Sequence, residues 1–351
     1  MEFNGATMMS VGPDDKVYPA VTIAAMVHAL GEENIALSDA LSGIHISKGA
    51  LASPSTRVSL NQIIACYSNA ARLSHNPQFA YQTGLGFHVT TYGMFGFAIL
   101  SSTDFRHAAK FAVKYRLLAA PEMEVFFKDE NERAVWTFVP TAHPRVNAKL
   151  YRFLVDLHFG IATALHRDVM GPSFAPQELQ VKFGRPTDAR LYEEAFGCRV
   201  LYGQPDNKLI YDAAWLDRTP EMGNPITHSL LVTLCDELLE ELNLRVGLVG
   251  KVRHVLLVNL MKPTSFDAIA KHLHMTSRTL GRKLREENTS YRKLVDELRM
   301  HMGIKYLRDT DLTIEEIAYA MGFSDAANFR RAFRRWTKGT PLKIRDFLSA
   351  T

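Results

Sequence analysis

The chain is 351 residues long, 47% hydrophobic and 22% charged, with 41 Lys and Arg against 37 Asp and Glu. That length leaves room for two or three domains with cores of their own, and no stretch reaches the roughly 18 uninterrupted apolar residues of a membrane span. Three cysteines, Cys66, Cys198 and Cys235, are odd in number and far apart, which excludes a disulfide scaffold and fits reduced structural thiols in a cytoplasmic protein.

The opening segment MEFNGATMMSVGPDDK has no basic region followed by an apolar run, so it is not read as a secretory signal, and residues 1–19 are expected to be disordered. Short helices are expected over 20–31 and 32–43. A longer one over 57–74 carries Val58, Ile63, Ile64 and Tyr67 along one face, and another follows over 78–86. Within 93–119, Thr103 is expected to cap a helix whose inner face is Phe105, Ala108, Ala109, Ala112 and Val113. Alternation in 123–127 and 134–139, separated by a polar DENER tip, reads as a β-hairpin. A long amphipathic helix over 145–169 comes next, then a strand at 179–183, a short helix at 188–196, and strands at 199–202 and 208–211. Residues 20–216 are therefore read as an α+β domain.

Pro220 and Gly223-Asn224-Pro225 mark a linker over 217–244. Its helix, 226–242, places Leu230, Leu231, Leu234, Leu238 and Leu242 on one side, which is either a dimer seam or a face buried on its own domain. A helix over 245–260, ending at Lys262-Pro263, opens an all-α C-terminal domain, 245–351.

Within that domain one pattern is written twice. FDAIAKHLHMTSRTLGRKL and IEEIAYAMGFSDAANFRRAF align Ile269-Ala270 on Ile317-Ala318 and Met275 on Phe323, with Leu280 and Leu284 matching Phe329 and Phe333 after one extra residue in the second turn. Two short helices that cross steeply need a small residue at the crossing and apolar residues at helical spacing. Ala270 and Ala318 supply the first, and Gly322 supplies a turn residue free to take positive φ. Thr276-Ser277 and Ser324-Asp325 supply caps for the second helix of each pair, which in a helix-turn-helix unit is the helix placed to enter a DNA groove. Residues 290–308 are expected to form a connecting helix.

Charge supports the same reading. Residues 251–351 hold 20 Lys and Arg against 11 Asp and Glu, a balance of +9, so the other 250 residues carry −5. A basic domain on a mildly acidic body is the footprint of a chain that meets phosphates with one part only.

These residues resemble a known family. Ile317-Ala318, Gly322-Phe323, Phe329, Phe333, Gly339-Thr340-Pro341 and Arg345 look like the signature of the AraC/XylS bacterial transcription regulators. The string Arg278-Thr279-Leu280, Arg282, Leu284, Tyr291, Leu294, Arg299 and Leu307 resembles the first half of the same domain. The resemblance implies a seven-helix domain with two helix-turn-helix units whose second helices enter successive major-groove segments. Carried over one position at a time, it implies base contacts by Arg278, Arg282, Asn328 and Arg331. Ser277, Thr279, Arg285, Arg330, Arg334, Arg335 and Lys338 are expected to hold phosphates or lie in solvent. This chain departs from the pattern at His274, where a flexible residue often stands, and at Gly281, Thr289 and Ile344.

Gly93 to Pro121, Phe183 to Phe196 and Leu209 to Leu216 resemble the arabinose-binding-like sensor domain of one branch of that family, whose members answer to varied small molecules. His88, Tyr92, Phe95, Phe97, His107, Tyr115 and Arg116 cluster in sequence and offer the apolar wall and few polar groups of a ligand pocket. The competing reading is that the aromatics only pack. The expected partners are promoter DNA, RNA polymerase, a small-molecule effector and a second copy of the chain, with no cofactor, metal or membrane. Catalytic motifs such as G-x-x-x-x-G-K-[ST], H-E-x-x-H and G-x-S-x-G are absent, and Gly84-Leu85-Gly86 is too short for a dinucleotide loop. The alternative is a catalytic N-terminal domain fused to a DNA-binding module.

Overall fold

The computed structural model describes residues 11–350 apart from 131, 188, 246, 259–264 and 288. They form two compact units, one of 16–141 with 146–240, the other of 11–15, 142–145 and 241–350.

The first unit opens with strand β1 (Tyr18–Pro19), then helices α1 (Val21–Glu32), α2 (Leu37–Ala40) and α3 (Lys48–Leu51), and strand β2 (Arg57–Val58). Helices α4 (Leu60–Leu73), α5 (Phe79–Leu85), α6 (Met94–Leu100) and α7 (Phe105–Lys114) follow. Three expectations are corrected here. Residues 11–19 are not disordered: Val17 and Tyr18 are buried, and Tyr18 pairs with Val58. That pairing draws 57–58 into extended backbone, so α4 begins at Leu60, where Ser59 and Gln62 form a reciprocal capping box. Residues 1–10 lie outside the described residues. The cap of α7 is Asp104 and not Thr103: its carboxylate accepts from the His107 N–H at 2.8 Å, and the Thr103 hydroxyl leans on that carboxylate instead.

The hairpin is longer than its alternation suggested, β3 (Met123–Glu130) and β4 (Arg133–Pro140). After it come α8 (Ala148–Met170), β5 (Glu178–Gln180), α9 (Ala189–Phe196), β6 (Arg199–Leu201) and β7 (Lys208–Asp212). The expected first residue of α9, Asp188, and Asn131 at the hairpin tip are not described. The five strands form one sheet in the order β3-β4-β7-β5-β6, antiparallel except for β5 beside β6. Its register sets Trp136 opposite Leu209 and Leu179 opposite Leu209 from the other side, placing the hairpin next to a strand seventy residues away.

Helix α8 is the spine of this unit, with Leu154, Val155, Leu157 and Phe159 fully buried. It meets α5 through two glycines. A Cβ on Gly160 would stand 2.4 Å from the Tyr81 carbonyl oxygen, and one on Gly84 would stand 2.2 Å from the Leu157 carbonyl oxygen. The Gly84-Leu85-Gly86 fragment is thus a packing surface between two backbones. Helix α10 (Pro225–Arg245) starts in this unit. His228 donates from Nδ1 to the Ala98 carbonyl (2.9 Å), and Cys235 is buried, whereas Ile226 and Leu230 stay exposed.

The second unit is helical: α11 (Gly247–Val258), α12 (Phe266–His272), α13 (Ser277–Glu286), α14 (Tyr291–Asp309), α15 (Ile314–Ala320), α16 (Ala326–Thr337) and α17 (Pro341–Ala350). The expected end of α11 near 260 and Lys262-Pro263 fall outside the described residues. Two small cores hold it. One gathers Ile269, Ala270, Leu280 and Leu284 with Leu294 and Leu298 of α14. The other gathers Ile317, Ala318, Phe329 and Phe333 with Ile304 and Leu307 of the same helix. Arg253 of α11 is buried and pairs with both Asp15 (2.8 Å) and Glu297 (3.0 Å), the double compensation a buried charge requires.

Candidate nucleic-acid interface and ligand cavity

Helices α12–α13 and α15–α16 repeat one turn bond for bond. In the first, the Leu273 N–H donates to Ile269, that of His274 to Lys271 and that of Met275 to Ala270, at 3.0, 3.0 and 2.8 Å. In the second, Met321 donates to Ile317, Gly322 to Tyr319 and Phe323 to Ala318, at 3.0, 3.0 and 2.9 Å. The pivot residues are both left-handed, Gly322 at φ 75° and His274 at φ 54°. A side chain at the second of these costs conformational energy that glycine avoids. Thr276 caps α13 and Asp325 caps α16, each accepting from the N–H three residues on.

Burial of Leu280 and Leu284 turns Arg278, Arg282 and Arg285 outward on the opposite side of α13, where all three are exposed. In α16, burial of Phe329 and Phe333 does the same for Arg330, Arg331, Arg334 and Arg335, with Lys338 exposed at the left-handed C-cap. These side chains are not equivalent. Arg282 pairs with Glu286 one turn on (2.6 Å), Arg285 donates to the Gly281 carbonyl, and Arg335 pairs with Asp296 of α14 (2.9 Å). Arg331 donates to Asn328 Oδ1, and the Asn328 amide nitrogen donates to Ser324 and Asp325, both at 2.7 Å. Ser277 gives its hydroxyl to Asp267, and Thr279 shares one with Thr276. The side chains of Arg278, Arg330 and Arg334 make no ion pair or hydrogen bond with another described residue.

Helix α14 packs against both helix pairs. At 19 residues it is roughly 28 Å long, and it contributes to both cores. Asp296 on Arg335 and the Arg299 guanidinium over the Phe323 ring at 5.1 Å tie its outer face to the second pair.

The first unit has a partly open cavity of about 130 Å³ between α6, α7, α8 and the β3–β4 face. Of the residues expected at a pocket, Tyr92, Phe95 and Arg116 line it. The others point elsewhere. His88 is an exposed partner of Asp168 at 3.0 Å, Phe97 is 47% exposed, His107 pairs with Asp104, and the Tyr115 phenol donates to Asp236 of α10. Spacing alone missed the opposite wall, because Trp136, His158, Ala162 and His166 come from β4 and α8.

Burial holds the His166 imidazole down at about 4, so it is neutral near pH 7. Its Nδ1 donates to the Ala162 carbonyl at 2.6 Å. Burial, and then the Glu122 carboxylate, push the Tyr92 phenol upward. Glu122 is itself buried, accepting from Tyr67 (3.2 Å) and bonded to His158 Nε2 (3.1 Å). Burial lowers the Arg116 pKa, offset in part by Glu124.

Comparison with known proteins follows the same division. Residues 35–220 match the family described as the N-terminal arabinose-binding domain of the AraC transcription regulator, and 269–346 match a helix-turn-helix domain family. The chain is 30% identical over 337 residues to an ornithine utilization regulator of Pseudomonas aeruginosa, covering 94% of this chain and 97% of the relative. It is 27% identical over 268 residues to the transcriptional regulator VqsM of the same organism, covering 75% and 82%. Among solved structures it is similar to the transcriptional regulator CdpR of Pseudomonas aeruginosa, at 22% identity and a TM-score of 0.49, covering 92% and 96%. No described helix is long and apolar enough to cross a membrane.

Proposed function

Because the chain belongs to the AraC family of DNA-binding transcription regulators, we propose how its residues divide the work of reading a promoter. Arg278 and Arg282 of α13 face the base edges of one major-groove segment, and Asn328 and Arg331 of α16 face those of the next. Arginine bonds guanine, and asparagine bonds adenine, through two hydrogen bonds each, at roughly 1–3 kcal/mol of discrimination per pair. The carrying observation is the shared helix: α14 belongs to both cores, so two identically turned readers are held at one fixed phase.

The phosphate contacts sort by their existing partners. Arg330 and Arg334 need give up no ion pair with a described residue to meet the backbone. Arg335 must release Asp296, and Ser277 must release Asp267, so these contribute less. Arg285, Thr279 and Lys338 flank the same faces. The bound regulator recruits RNA polymerase in the cytoplasm as an activator, and the first unit controls it by sensing a small molecule. The exposed Ile226 and Leu230 of α10 suit a contact with a second copy.

Footprinting of the full chain on its genomic sites tests the reading. Two protected major-groove segments about 34 Å apart are expected. A single short segment, untouched by replacing residues of α13, would remove the two-reader arrangement.

A further inference from the structure

The cavity of the first unit has a chemical character of its own, and the inference here rests on the sensing role just proposed. Its room comes from small residues: Ala108, Ala109 and Ala112 on α7 face Ala162 on α8, with Ala119 and Ala120 at one end. Phe95, Phe138 and Trp136 close the sides. An apolar cavity of about 150 Å³ holds benzene, and this one is of that size at about 130 Å³.

Its polar groups are few and mostly committed. Arg116 has Glu124 beside it, and the lining His158 is held at Nε2 by the buried Glu122. A charged ligand would therefore meet compensated charges and would lose its hydration without a free counter-ion. A sugar would bury hydroxyls against alanine and phenylalanine walls, leaving donors unmet. His166 is different. With Nδ1–H given to the Ala162 carbonyl, the neutral ring presents Nε2 as an acceptor, and no described residue donates to it. The ring is fixed, stacked on Phe174 at 4.9 Å with the Trp136 ring edge-on at 5.7 Å.

We propose that this cavity binds a neutral aromatic molecule about the size of benzene, bearing one hydroxyl or N–H that donates to His166 Nε2. The ring occupies the space between the alanine faces of α7 and α8. Since α7 ends in the Lys114-Tyr115 pair that holds Asp236, occupancy acts on the middle of α10.

Calorimetric titration of the full-length protein with phenol, indole, benzene, benzoate and a free pentose tests this. Phenol and indole are expected to bind, about fivefold more tightly than benzene, the factor of one hydrogen bond, with no heat from benzoate or the pentose. Ala162→Leu fills the cavity and is expected to abolish phenol binding. His166→Phe is expected to keep benzene binding and erase the preference for phenol, which keeps the test decisive if Ala162→Leu fails to fold. Melting temperature and far-UV dichroism without ligand show whether each variant is folded. Phenol binding retained by a folded Ala162→Leu protein overturns the site. Binding of benzoate or the pentose that Ala162→Leu removes overturns the ligand class but leaves a sensing cavity. No heat from any compound, with a folded Ala162→Leu variant regulating its promoter like the parent, overturns both readings.

Discussion

Tyr115 and Asp236 are joined through a single oxygen: the phenol donates to Oδ1 at 2.7 Å, and the Lys114 ammonium donates to the same atom at 3.0 Å. The phenol bond first, and then Lys114, hold the Asp236 carboxyl below its ordinary range, while Lys114 is raised in turn by Tyr115. Both partners of Asp236 sit at the end of α7, whose inner alanines line the cavity. Exposed pairs of this kind contribute under about 1 kcal/mol, so Asp236→Asn should leave the melting temperature nearly unchanged. It should instead speed amide exchange over 225–240. Unaltered exchange there would show that α10 is held by the His228 and Cys235 contacts alone.

For the DNA-reading face, Arg331→Ala and Arg282→Ala are expected to cost roughly 1–3 kcal/mol on the cognate site and to relax its sequence preference. Arg330→Ala and Arg334→Ala should weaken all duplexes alike and lower the slope of log K against log salt by about 1 each. Arg335→Ala should lower it less, since Asp296 already compensates that charge. Equal losses on cognate and random DNA for Arg331→Ala would reassign it to the phosphate set.

The left-handed His274 makes the first turn the strained copy. Replacing it with glycine should stabilise the helical unit by up to about 1 kcal/mol, the local strain relieved less the entropy that glycine adds to the unfolded chain. Gly322→Ala should lose about 1 kcal/mol or more. Urea midpoints of the two variants should therefore move in opposite directions.

Gly160→Ala presses a methyl group onto the Tyr81 carbonyl, where a backbone must move. A loss of about 3 kcal/mol or more is expected, at the upper end of overpacking, seen as a lower melting temperature of the sensor unit. A near-neutral result would mean that α5 and α8 separate freely.

Burial holds His143 down at about 3, and His166 and His301 at about 4. In the unfolded chain these groups titrate near 6.5. Their folded pKa values are depressed, so the stability they contribute is present above pH 6.5 and is lost as pH falls toward 4, where the unfolded state takes up protons the folded state refuses. The slope is about 1.4 kcal/mol per histidine per pH unit. A urea midpoint independent of pH between 7 and 5 would contradict this burial.

The helical half was legible because its information is local. Ala270, Ala318, Gly322 and the Thr276 and Asp325 caps each act within a few residues, and a repeated pattern states the turn geometry twice. The sensor half depends on distant partners. Nothing near Arg57 announces its pairing with Pro19, and nothing near Ala112 announces that it shares a cavity wall with Ala162. Proximity in sequence grouped Tyr92 and Phe95 with Phe97 and Tyr115, but helical geometry sends neighbouring side chains to different sides. The choice of Asp104 over Thr103 as cap turned on one position of phase.

A spacer that is one continuous helix also quantises what this protein can evolve to recognise. Inserting a single residue into α14 would advance the second reader by about 1.5 Å and swing it about 100° around the axis, away from the duplex. Seven added residues nearly restore the angle but lengthen the span by about 10 Å, some three base pairs. Half-sites of intermediate separation are thus closed to its descendants by small steps, and drift in binding preference is confined to base identity at either end.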